Sequence, residues 1–144
     1  MREYIGLYRG KRTDNGEWVE GAYIFTGRYH VIVAGRIEEK HIVYGHYSVC
    51  VPMYVVDPDT VCECTGLKDK NGKLIFEGDI LEGVDYTAED GGYGVVSFND
   101  GAFEVNGSGW NLITGTFHDN YWGKDFEIIG NIHDNPELLG GGEE

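Results

Sequence analysis

Short runs of β-branched and aromatic residues recur along the chain, separated by glycine-bearing turns. The runs are Trp18–Phe25, Tyr29–Val33, His41–Val51, Leu74–Leu81, Tyr93–Phe98, Gly101–Val105 and Phe126–Ile129. Several alternate with the period of two that marks a half-buried strand. In Val95-Val96-Ser97-Phe98, Val96 and Phe98 share one predicted face and Val95 and Ser97 the other. Five dipeptides punctuate the runs: Asn15-Gly16, Asn71-Gly72, Asp90-Gly91, Asp100-Gly101 and Asn106-Gly107. Each tolerates the positive φ angles of a tight hairpin turn, so each predicts a strand reversal.

Helical pattern is scarce. Asn135-Pro136-Glu137-Leu138-Leu139 places Asn at a cap, Pro at the first helical position and Glu in the first turn. Gly140 to Gly142 stop that helix after about one turn. A second short helix is expected around Arg36–Lys40. The tail Gly-Gly-Gly-Glu-Glu carries no pattern and reads as loose. The fold class predicted is mainly β, in two sections. Residues 1–64 form a hairpin-rich β subdomain. Residues 65–144 form a compact, acidic SH3-like barrel with a short C-terminal helix. The order behind the barrel is a Gly-Asp entry before an apolar strand, then a Gly-x-Val-x-Phe-x-Asp-Gly hairpin, with glycine where strands bend most.

Composition sharpens the division. The 144 residues carry 25 Asp+Glu against 11 Lys+Arg, a net charge of −14. Residues 1–72 hold ten acidic and nine basic side chains. Residues 73–144 hold fifteen acidic side chains against Lys73 and Lys124 alone. Such a balance argues against non-specific phosphate binding, which needs a basic footprint. With 41% hydrophobic and 13% aromatic residues the chain is not disordered. A chain this long buries roughly 68–70% of its unfolded surface and folds without disulfides or metal. Three cysteines, Cys50, Cys62 and Cys64, are an odd number that fits reduced thiols. Met1 to Arg9 shows no signal-peptide pattern, and no stretch approaches the roughly 20 apolar residues of a membrane span. A soluble cytoplasmic protein is expected.

The segment Thr65-Gly-Leu-Lys-Asp-Lys-Asn-Gly-Lys-Leu-Ile-Phe-Glu-Gly-Asp-Ile80 closely resembles the signature of the YopX family of phage and prophage proteins. Tyr8-Arg-Gly-Lys-Arg-Thr-Asp-Asn-Gly-Glu-Trp-Val-Glu-Gly21, Pro58-Asp-Thr-Val61 and Ile128-Ile-Gly-Asn-Ile-His-Asp-Asn-Pro-Glu-Leu-Leu139 resemble it too, in the same order. The departures are Cys62-Glu-Cys64, where polar residues are more usual, and the acidic loop Asp85–Gly92. The resemblance implies a mainly β fold and a phage or prophage origin in a bacterial host. It implies no reaction and no catalytic residue.

Candidate chemistry is thin. Asn71-Gly72 is expected to reverse a hairpin between Gly66–Lys68 and Leu74–Phe76, with Asp69 holding the turn through backbone amides. Lys68, Lys70 and Lys73 then surround one turn, as a basic tip for an acidic partner or as lysines relieving local repulsion. Asp69-Lys-Asn71-Gly72 is no EF-hand, since its Gly falls at position four rather than six. Glu82, Asp85, Glu89 and Asp90 have no recognised metal-ligand spacing and read as solvated carboxylates. Cys62 and Cys64 face one side of a strand, but no second ligand pair completes a zinc set. Neither a nucleophile elbow nor a phosphate loop occurs. His118-Asp119 and His133-Asp134 read as turn residues, because neighbours on a strand point to opposite faces. Trp110, Phe117, Tyr121 and Trp122 cluster in a loop-like stretch, either as interface anchors or as a plug for a barrel end.

No catalytic residue, cofactor or metal is therefore expected. The leading reading is a non-enzymatic phage or prophage accessory protein that binds a basic protein partner, with or without self-association. Its interaction surface is expected among Lys68, Lys70, Lys73, Trp110, Trp122, Asp85, Glu89 and Asp90. An acidic DNA mimic and an SH3-like module binding nucleic acid directly are the alternatives.

Overall fold

The computed structural model describes residues 6–34, 38–42, 46–50, 52–83, 92–99, 101–107, 115–116 and 126–139. The chain divides into two compact units, residues 4–63 and residues 64–144 with the first three residues. It is mainly β, and no α-helix occurs among the described residues.

The first unit contains β1 (Tyr8–Lys11), β2 (Trp18–Phe25), β3 (His30–Val33), β4 (Glu38–Ile42), β5 (His46–Cys50) and β6 (Met53–Val55). β1, β2, β3 and β6 are successive antiparallel neighbours, while β4 and β5 form a separate hairpin. The predicted run Trp18–Phe25 is β2, residue for residue. The helix expected around Arg36–Lys40 is not formed at its described end, because Glu38–Lys40 pair with Ser48–Cys50 as strand. The long run His41–Val51 is likewise cut into the end of β4 and the whole of β5. Past β6, the Arg12↔Val56 bridge and the Asp57 N–H donated to the Lys11 carbonyl (2.9 Å) tie the chain back to the end of β1. A 3-10 turn, Pro58–Thr60, follows, capped by the Asp57 carboxylate. Thr60 is buried there because its hydroxyl accepts from the Lys11 amide and donates to the Asp57 carbonyl. Among the described residues of this unit, Ile32 and Val56 are the fully buried apolar side chains.

The chain leaves the first unit along β7 (Cys62–Lys68), between Glu63 and Cys64. Beyond it come β8 (Leu74–Phe76), β9 (Asp79–Gly83), β10 (Gly92–Asn99), β11 (Ala102–Gly107), β12 (Gly115–Thr116) and β13 (Phe126–Asn131). The last five form one antiparallel sheet in the order β12-β11-β10-β9-β13. No closed barrel is found among the described residues. Ile75, Leu81, Val96, Val105 and Phe126 form the core, with Leu67, Phe103 and Ile128 packed against it. Leu74–Leu81 is therefore two strands rather than one. The interruption is built by Asp79, whose buried carboxylate accepts the Phe76 N–H at 2.8 Å, and by Gly78, which adopts φ 87°.

Asn106-Gly107 does not reverse the chain as expected. Both residues continue β11, paired with Val95 and Gly94. A dipeptide that tolerates a turn does not enforce one, and here the ladder to β10 takes precedence. Asp90-Gly91 lies outside the described residues. The C-terminal helix is a single 3-10 turn, Pro136–Leu139. Its entry is held by side chains: the Asn131 carbonyl oxygen Oδ1 accepts from the His133 and Asp134 amides, and Asn135 Oδ1 accepts from the Asn131 amide. His133 and Asp134 thus sit in a turn, as expected.

Candidate interaction surfaces

Asp69 organises the lysine-bearing hairpin. Its Oδ1 accepts the Asn71 and Lys73 amides at 2.9 Å each, closing the turn in which Gly72 adopts φ 84°. Its Oδ2 accepts the Ile128 amide at 3.0 Å, while the Lys70 amide donates to the Phe126 carbonyl at 2.9 Å. The turn thereby covers the open edge of β13 and removes a row of groups that would otherwise template another strand. Asp69 is 5% exposed. Burial pushes its carboxyl up, but the amides of Ile128, Lys73 and Asn71 together outweigh that and hold it below the ordinary value of 3.8.

Lys68, Lys70 and Lys73 are all exposed around this turn. Lys70 Nζ lies 3.2 Å from Glu127 Oε1, so this cation is engaged within its own unit. Exposed pairs contribute little, and Lys70→Gln is expected to lower stability by about 0.5 kcal/mol or less, read by urea denaturation. Of the other residues expected at an interaction surface, Trp110, Trp122, Asp85, Glu89 and Asp90 lie outside the described residues, as do Phe117, Tyr121 and His118-Asp119.

The five-stranded sheet has a second feature that composition alone did not place. Its described strand residues include no Lys or Arg. On the face opposite the core, Glu82 and Glu127 are direct cross-strand neighbours, and Glu104 lies opposite Ser97 on the same face. Like charges directly opposite on a sheet are destabilising by tenths of a kcal/mol to about 1 kcal/mol. Lys70 offsets this at Glu127. Residues 64–144 carry sixteen acidic and four basic side chains.

The first unit bears a different surface, which the sequence reading missed. Lys11 stands directly opposite Trp18, and Arg9 directly opposite Glu20. The Arg9 guanidinium lies 4.8 Å and the Lys11 ammonium 5.4 Å from the Trp18 ring centroid. On the same sheet face follow two rows of cross-strand neighbours, Ala22–Val33–Met53 and Ile24–Val31–Val55. Cys62 lies on that same sheet face, directly opposite Arg9, but is buried there, as is Cys64. Cys62 Sγ donates to the Thr60 carbonyl and Cys64 Sγ accepts the Gly66 amide. Among the described residues no group of three or more His, Cys, Asp or Glu side chains is placed to hold a metal ion. Nor is any described helix long and apolar enough to cross a membrane.

Comparison with known proteins places this architecture. The family model described as YopX protein matches residues 7–140. The chain belongs to the YopX family. No curated protein matches it. Among solved structures, the YopX-family chain is similar to protein EF1440 from Enterococcus faecalis, at 28% identity and a TM-score of 0.61. The similarity covers 92% of this chain and 96% of that one, so it includes both units. The residues that carried the family resemblance include Asp69, Asp79, Asn131 and Asn135. Each is spent on backbone amides of its own unit. In this chain those polar residues of the signature build turns and an edge cover.

Proposed function

We propose that this YopX-family chain is a non-enzymatic, phage- or prophage-encoded accessory protein that binds a basic partner protein in the bacterial cytoplasm. The observation that carries the reading is the Glu82–Glu127 pair on a sheet face that also holds Glu104, in a sheet whose described strand residues include no Lys or Arg. Carboxylates set opposite one another cost the free protein stability; Lys70 relieves that at Glu127, and cations brought by a partner relieve the remainder. Complementary fields also speed encounter and suppress wrong pairings. We read the unit as an SH3-like module, supported by its strand order: β9 to β12 are consecutive neighbours and β13 returns beside β9. That resemblance of order says nothing about the partner, because one fold serves many functions.

The test uses the tagged full-length chain and a Glu82→Gln/Glu104→Gln variant to capture proteins from lysates of infected host cells, washed at low and at high salt. The expected result is a basic protein retained by the wild type at low salt, released at high salt and held far less by the variant. Surface charge pairs are screened once salt shortens the Debye length, so this contrast follows from electrostatic binding. Capture that ignores salt, capture equal for the variant, or co-purified nucleic acid in place of a protein would each overturn the reading.

A further inference from the structure

We propose that the outward face of β1, β2, β3 and β6 is the surface by which the chain pairs with a second copy of itself. The six apolar positions lie in two adjacent rows, each running across three strands. Met53 is 56% exposed, Ile24 45% and Val55 41%, whereas Val31 between them is buried, at 6% exposed. Single exposed apolar side chains are ordinary, but a contiguous set on one sheet face marks an interaction surface.

Charge selects the occupant. A chain of net charge −14 repels its own copies, so they meet where that field is locally cancelled. Beside the apolar rows stand Arg9, Lys11 and Glu20, with Arg9 and Glu20 as direct neighbours. An apolar centre with both signs at its margin complements itself, which is what a two-fold contact requires. A uniformly acidic or basic partner would meet a like charge there. The face holds far fewer residues than the roughly 20–30 a side of a standard interface, so the dimer is weak and concentration-dependent.

Sedimentation equilibrium on the full-length chain, over a concentration series at low and high salt, tests this. The expected result is a dimer that grows with concentration and is not weakened by salt, since screening relieves the repulsion between copies. Ile24→Glu and Met53→Glu are each expected to weaken it by roughly tenfold or more while leaving the thermal midpoint near that of the wild type. Glu82→Gln, on the acidic sheet face, is expected to leave dimerisation unchanged, so the outcome is independent of the proposed partner binding. A wild type that stays monomeric throughout overturns the proposal, as does a dimer indifferent to both apolar-face variants. So does a monomer that uses this face, by the same variants, to hold a foreign protein.

Discussion

Asp69→Ala is expected to destabilise the protein by about 3 kcal/mol, because three backbone amides lose a charged acceptor at once. Against a typical total of roughly 5–15 kcal/mol this is a large fraction. Asp69→Asn keeps an oxygen and is expected to cost about half as much. Equilibrium urea denaturation of both variants measures this. The loss is partly one of local turn geometry and partly one of edge protection, since the carboxylate also holds the turn against β13. Light scattering is therefore expected to show the alanine variant aggregating earlier than a core variant of equal stability loss.

The pH dependence separates the charge from the shape. Asp69 is held below 3.8 in the folded protein, so as pH falls the unfolded chain takes up the proton first. The contribution is therefore complete above the unfolded carboxyl value of about 3.9 and drains away as pH drops through the lower folded value. The stability difference between wild type and Asp69→Asn is expected to be constant near neutrality and to shrink in acid below about pH 4. A difference that stays flat into acid would show that the carboxylate's charge contributes nothing. Taking the difference removes the titration common to the other carboxylates.

These contacts mark where sequence reading succeeds and where it stops. The turn at Asn71-Gly72 and the role of Asp69 within it were legible, because both depend on residues within four positions of one another. The bond to Ile128 spans 59 positions, and nothing local announces it. Trp18–Phe25 was legible as a strand by composition and its bounding turns. Its register was not: a two-residue turn at Asn15-Gly16 would place Thr13 opposite Trp18. The observed loop is longer, closed by the Arg12 amide on the Glu17 carbonyl, and it is Lys11 that faces Trp18. A shift of two residues leaves the faces unchanged but moves each cation along the strand. The acidic half was obvious from composition, yet the meeting of Glu82 and Glu127 depends on β13 returning beside β9. The apolar face required the order of strands as well, since Met53 and Val55 are far from Ile24 in sequence.

The second large effect is expected at Gly83. It pairs with Phe126, and a Cβ at position 83 would overlap two atoms of the Phe126 ring. That ring is 5% exposed and belongs to the core cluster, so it has no free direction in which to yield. The aromatic side chain lies over a bare stretch of neighbouring backbone, and the glycine is what admits it. Gly83→Ala is expected to cost about 3 kcal/mol, by displacing Phe126 or bending β9 away from β13. Phe126→Ala alone is expected to cost about 3–5 kcal/mol through the lost burial and the cavity left behind. The two changes remove the same contact, so they are not additive. In the Phe126→Ala background the added methyl meets space, and Gly83→Ala is expected to cost less than about 1 kcal/mol. A double-mutant cycle by thermal or urea denaturation reads this directly. Additive losses would mean that the glycine serves the strand's backbone rather than the ring, and that Phe126 reaches the core by packing that a side chain at position 83 does not disturb.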